Sequence, residues 1–101
     1  MPYFAVTTAK GPNWQHDRAI REQDAWDDHA AFADALVDQG VVVLGGPIES
    51  EEEEDVGLLA VEAEDEEAVR AIFRRDPWAE RGVLTIKDVR SWTVWLDRRT
   101  R

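Results

Sequence analysis

The apolar residues of this chain change period as it runs, from alternation to helical spacing and back, and the order of the changes admits few folds. Pro2 to Thr8 alternates loosely and is rich in Tyr, Phe, Val and Thr, which predicts a strand. Lys10 to Arg18 contains Gly11, Pro12 and Asn13, has no period, and reads as a loop. From about Ile20 to Gln39 the spacing turns helical. Trp26, His29, Ala33 and Leu36 fall on one stripe, while Asp24, Asp27, Asp28, Asp34 and Asp38 lie mostly off it. Gly40 is placed to end that helix. Val41 to Leu44 is a short β-branched run, expected as a strand buried on both faces and broken by Gly45, Gly46 and Pro47. Val56 to Glu62 predicts the other strand of a hairpin whose connection is Glu49 to Asp55. Asp65 is a good N-cap for a helix to about Arg75, with Ala68, Val69, Ile72 and Phe73 inward and Pro77 as its stop. Val83 to Leu96 reads as a long strand, with a bulge or break at Asp88 to Arg90 and room for a short fifth strand beyond it. The tail Asp97 to Arg101 is charged and expected to fray.

The order is β-α-β-β-α-β, which predicts an α+β, ferredoxin-like domain spanning residues 1–101. Its four-stranded antiparallel sheet carries two helices on one face. The other face is left bare and must be covered. In a chain of 101 residues the expected cover is a second copy, giving a homodimer with Trp92 or Trp95 in or beside the contact.

Charge and cysteine content exclude several functions. Twelve basic and 22 acidic residues give a formal charge of −10, which repels nucleic acid and anionic membrane surfaces. No apolar run is long enough to span a bilayer. The N-terminus shows neither a basic n-region nor an apolar h-region, so a cytoplasmic location is expected. With no cysteine there is no disulfide, thiolate nucleophile or cysteine-ligated metal. Two histidines without a spaced acid cluster predict no metal site. The run Glu49 to Asp55 holds six acids in seven residues but lacks the spaced pattern of a calcium loop, and it reads as solvated and self-repelling. Lys10-Gly11-Pro12 is no P-loop, and Gly45-Gly46-Pro47 is no dinucleotide fingerprint. The simpler use of Gly46 and Pro47 is a sharp turn beside a candidate pocket. Ser50 and Ser91 sit in no nucleophile elbow. No cofactor is expected.

The topology makes one spatial prediction. The start of the first helix and the end of the second lie at the same end of the sheet, so His29 can approach Asp76. Each residue also has a plain structural use. A core histidine can be satisfied by one acceptor, and an Asp before Pro can hold a turn. A carboxylate at a helix C-terminus faces the negative end of the dipole, and a contact with His29 would compensate. Such a carboxylate fixes the imidazole tautomer and leaves the second nitrogen for acid–base work. Trp14, Trp26 and Trp78 belong to the same end; Trp26 and Trp78 either wall an aromatic pocket or pack as core. His16, in a polar loop, reads as a surface residue.

Several short stretches resemble the YCII-related family of small bacterial proteins. They are Gly11-Pro12 with Trp14, Arg21-Glu22-Gln23, Trp26-Asp27-Asp28-His29-Ala30-Ala31-Phe32, Leu36, Gly40, Val43-Leu44-Gly45-Gly46-Pro47, Asp76-Pro77-Trp78, Gly82 and Arg90-Ser91-Trp92. The resemblance implies a ferredoxin-like fold of the dimeric α/β-barrel type and a His–Asp pair at His29 and Asp76. It also implies kinship with a dehydrochlorinase of a chlorinated hydroxyquinol, and a broader fold shared with muconolactone isomerase. The expectation is a cofactor-independent lyase or isomerase acting on a small aromatic-derived molecule. Its pocket would use Trp14, Trp26, Gly46, Pro47 and Trp78, with Arg21 binding a phenolate or carboxylate if it faces inward. The rival is a non-catalytic ligand-binding or accessory protein. A solvent-reachable pocket beside both His29 and Asp76 favours the enzyme; a sealed contact favours the rival.

Overall fold

β1 (Tyr3–Lys10) is the central strand, because its alternation puts Phe4, Val6 and Thr8 on one buried face. In the computed structural model, which describes residues 1–100, the remaining elements are α1 (Trp26–Asp38), β2 (Val42–Pro47), β3 (Asp55–Glu62), α2 (Glu66–Phe73), α3 (Pro77–Glu80) and β4 (Leu84–Trp92). Short 3-10 turns occupy Ile20–Glu22 and Arg98–Thr100. The sheet has the order β2-β3-β1-β4 with every pair antiparallel, which is the ferredoxin-like arrangement.

The main core joins Phe4 and Val6 of β1, Val61 of β3 and Val89 of β4 to Leu36 of α1 and Val69 and Phe73 of α2. Each such side chain contributes about 1.5–3 kcal/mol on burial, so this one face supplies most of the drive to fold. Asp65 caps α2 by accepting from the Ala68 N–H at 2.8 Å, and Gly40 follows α1 in the left-handed conformation that glycine adopts freely, with φ +78°. A second cluster of Trp14, Trp78 and Val83 sits at one end of the sheet.

Several expectations are corrected. The first helix does not run from Ile20. The chain leaves the 3-10 turn extended at Gln23, and Ala25 takes a left-handed φ of 60° before α1 starts at Trp26. The reason is that the Gln23 side chain and the Asp24 carbonyl are committed to tertiary partners, described below.

Gly45, Gly46 and Pro47 do not break β2. They pair with Leu59, Leu58 and Gly57 and extend the edge strand. Only Val42 of this run is buried; Leu44 is 75% exposed, because an edge strand at this position has nothing over its far face. Glycine serves packing here, since a Cβ on Gly45 would lie 3.0 Å from Leu59 Cγ.

Pro77 stops α2 but also opens a third helix, with Pro at its first position. β4 ends at Trp92, and no fifth strand follows among the described residues; Trp95 and Leu96 are exposed. Its bulge falls at Lys87, the extra residue between the Thr8–Ile86 and Thr7–Asp88 pairs, while Arg90 stays in the ladder opposite Ala5. The tail makes a turn held by Asp97, which accepts from the Arg99 N–H at 2.9 Å; Arg101 lies outside the described residues.

Lys87 also changes the reading of the acidic loop. Its ammonium reaches past β1 to Glu52 and, at 2.6 Å, to Asp55. Ser50 Oγ donates to Asp55 at 2.7 Å and accepts from the Glu52 N–H at 3.1 Å, and the Lys10 N–H donates to the Glu54 carbonyl at 2.8 Å. The loop is therefore clasped, and two of its acids are neutralised.

Tyr3, Ala5, Leu58, Ala60, Leu44 and Trp92 share the sheet face that no helix covers. Among the described residues no helix is long and apolar enough to cross a membrane.

The clasp has a pH signature. The Lys87 hydrogen bond, then that from Ser50, holds the Asp55 carboxyl below its ordinary 3.8. A depressed carboxyl stabilises above that ordinary value and loses its contribution as pH falls through its folded value. The pair is exposed and screened by salt. Thermal melts from neutral pH down through pH about 3 should therefore show a steeper acid decline for the parent than for Lys87→Gln, with the difference shrinking in high salt. Parallel curves would mean that the clasp does not hold in solution.

Candidate functional site

The site is built at the end of the sheet where α1 begins and α2 gives way to α3. His29 is one turn into α1, on the stripe that faces the sheet. Its Nδ1 lies 2.9 Å from Asp76 Oδ2 and 3.0 Å from Oδ1. Asp76 is 5% exposed and caps α3, accepting the Trp78 backbone N–H on Oδ1 at 2.9 Å. The carboxylate therefore stands at the positive end of a new helix and not merely at the negative end of the old one. The predicted contact forms, and the dipole penalty that motivated it is offset by the capping of α3. The Asp76-Pro77 dipeptide was the available signal, a capping residue followed by Pro at the first helical position.

Trp78 organises the rest. It is fully buried, and its indole lies flat under the His29 ring, with centroids 3.8 Å apart and planes 6° from parallel. Its Nε1–H donates to the Asp24 carbonyl at 2.7 Å. Trp26 leans on the same stack, 5.6 Å from Trp78 and 5.8 Å from His29. Trp14 meets Trp78 edge-on from behind, at 5.9 Å and 76°. One tryptophan thus fixes both members of the pair, the carboxylate through its backbone and the imidazole through its ring.

A cavity of about 270 Å³ opens beside the pair. Its helical wall holds Trp26, His29, Phe32 and Trp78; its sheet wall holds Thr8, Gly46, Pro47, Gly57, Leu59 and Ile86. His29 and Asp76 both border it, with side chains 17% and 7% exposed. Two expected lining residues are elsewhere. Trp14 is buried behind Trp78, where it packs as core. Arg21 is exposed on the 3-10 turn, with its guanidinium over the Trp26 ring at 5.9 Å from the centroid, and does not border the cavity. The turn directs Arg21 to solvent because Gln23, two residues on, points inward. His16 is exposed, as expected.

Gln23 is the residue that the sequence did not reveal. It is 3% exposed, and its amide makes a reciprocal pair with the Gln15 backbone, both bonds at 2.8 Å, and donates to the Arg18 carbonyl at 3.0 Å. It ties the Lys10–Arg18 loop down over Trp14. The signals were its place in the family-like stretch Arg21-Glu22-Gln23 and an uncharged polar side chain among charged neighbours.

The YCII-related domain family matches residues 1–93. No curated protein matches the chain. Among solved structures, the chain is similar to the 5-chloro-2-hydroxyhydroquinone dehydrochlorinase of Burkholderia phenoliruptrix AC1100 in complex with 2,5-dihydroxybenzoquinone. The TM-score is 0.67 and the identity 21%, over 90% of this chain and 93% of that one, which establishes the shared fold.

Replacing Gln23 by Leu should strip partners from the part-buried Gln15 and Arg18 backbone groups, at up to about 1–3 kcal/mol per unpaired group. Urea unfolding of Gln23→Leu should show a loss of about 2 kcal/mol or more, against less than about 0.5 for Arg21→Ala. Equal losses would contradict the division of labour between these neighbours.

Proposed function

The chain belongs to the YCII-related domain family, and from that premise we propose that it is a cofactor-independent enzyme of the lyase or isomerase type, with His29 moving the proton. The observation that carries the reading is that His29 is bound to a buried carboxylate through one nitrogen while its ring borders a cavity. The geometry assigns Nδ1–H as donor to Asp76, which leaves Nε2 unprotonated in the neutral ring. Nε2 then accepts a proton from a hydroxyl or an acidic C–H of the substrate. The released electron pair enters the ring system. It takes that proton back at a ring carbon, giving a keto tautomer; where that carbon bears chloride, His29 then passes a second hydroxyl proton to solvent and the pair so released expels chloride. Neither course needs an oxidant or reductant. Asp76 orients the imidazole and balances the imidazolium charge. Trp26 and Trp78 offer a flat apolar wall for an aromatic-derived substrate, with Gly46 and Pro47 opposite.

The dehydrochlorinase that shares the fold supports an elimination on a hydroxylated ring. The reachable cavity favours this reading over the rival of a sealed, purely structural pair. The chain acts as a homodimer in this proposal, because the bare sheet face with Tyr3, Leu58 and Trp92 needs a cover.

Chloride release from 5-chloro-2-hydroxyhydroquinone, and deuterium uptake by hydroxylated rings in D₂O, test the mechanism. His29→Gln should abolish both while keeping the fold, and Asp76→Asn should slow them by roughly 10²–10⁴. Turnover by His29→Gln at the parent rate, or an inert parent, would overturn it. Light scattering should give twice the chain mass; a value near 11.5 kDa would reject the dimer.

A further inference from the structure

The charge of the cavity wall says more about the substrate than its shape. The residues that border the cavity include no lysine and no arginine among the described residues. Its ionisable groups are His29, Asp76 and, on the exposed side of α1, Asp34. Asp76 already stands against His29, so a protonated imidazole is matched within the site and has no charge left over for a ligand. Arg75 and Lys87, next in the chain to the lining residues Asp76 and Ile86, are exposed and outside the wall, and Arg21 is exposed with its guanidinium over the Trp26 ring, 5.9 Å from the centroid, and does not border the cavity. The uncharged polar side chains at the wall are Thr8 and Thr85. Thr8 is buried in the middle of the sheet, and Gly57 leaves room for its hydroxyl, since a Cβ there would come within 3.1 Å of Thr8 Oγ1.

Resting on the proton-transfer reading above, we infer that the site takes an uncharged, hydroxylated planar ring and rejects the same ring bearing a carboxylate. An anion entering this cavity would lose its hydration and gain no cation, the least favourable exchange a pocket can impose. A hydroxyl or keto oxygen needs only a hydrogen bond, which Thr8 on the sheet wall and His29 on the helical wall can supply. The cavity, about 270 Å³, lies just below the usual range for small-molecule sites, which suits one substituted ring. The formal charge of −10 acts in the same direction at long range, repelling anions before they arrive. The two causes separate with salt: the long-range part is screened, whereas the missing cation in the wall is not.

A matched pair of probes tests this. The rings 4-hydroxybenzamide and 4-hydroxybenzoate have nearly the same shape and differ in charge; hydroquinone adds a second neutral member. Binding is read from the indole N–H resonances of Trp26 and Trp78, assigned by Trp→Phe substitution. The amide and hydroquinone should shift them saturably, and the carboxylate should bind at least about tenfold more weakly, in low salt and in about 0.5 M NaCl alike. Ala33→Lys, which sets an ammonium at the cavity wall, should narrow that gap. Equal or tighter binding of the carboxylate to the parent overturns the inference, and so does the absence of any shift with the neutral rings. A gap that vanishes in high salt also overturns it, since selectivity would then belong to the surface field. The readout is binding alone. Loss of selectivity therefore leaves the role of His29 standing, while turnover that survives His29→Gln removes that role whatever the probes do.

Discussion

The Asp76 carboxylate is buried at the junction of two helices, and the structure around it is arranged to give it donors. One comes from the Trp78 backbone, because Pro77 starts a helix there; another comes from His29, because α1 begins at Trp26 and not at Ile20. An unpartnered carboxylate in that place would be among the most destabilising groups in so small a protein. Its requirements explain the left-handed Ala25, whose carbonyl accepts the His29 N–H at 3.0 Å and fixes where the helix starts. They also explain why Trp78 is fully buried. The indole that props the histidine is tied back to Asp24, so the loop before α1 and the turn after α2 are held as one piece.

What the sequence made legible was what periodicity governs. The strands, the two long helices, the left-handed Gly40 and the His29–Asp76 contact all follow from apolar spacing plus the handedness of crossovers. What it hid was what side chains do locally against the period. Gly45-Gly46-Pro47 has the composition of a turn, yet β3 offers it a ladder of backbone partners, and that outweighs propensity. Gln23 looks like one more surface residue until its amide is seen paired with the Gln15 backbone. Trp14 and Arg21 belong to the correct end of the molecule but face the wrong way, because proximity in a topology does not set direction.

Charge is distributed with more order than the composition suggests. The acids of the hairpin loop are gathered onto Lys87, and the raised affinity of that ammonium for its proton follows first from its hydrogen bond to Asp55 and then from that to Glu52. The cavity, bordered by Ile86 and Val56 next in the chain to Lys87 and Asp55, carries no such cation among the described residues. An acidic protein has thus set one of its two lysines against the acidic loop and left its pocket wall without lysine or arginine among the described residues.

The two outer strands of the sheet have one further consequence. β2 ends in Pro47, which has no N–H to offer, and β4 is interrupted by a bulge that carries Lys87. Neither rim presents a continuous row of free donors and acceptors, so a strand from another molecule finds no template along either side. Lateral growth into ribbons, the ordinary hazard of a small open sheet, is discouraged at both borders. What the sheet leaves open is its broad face, with Tyr3, Leu58 and Trp92, and not its rims.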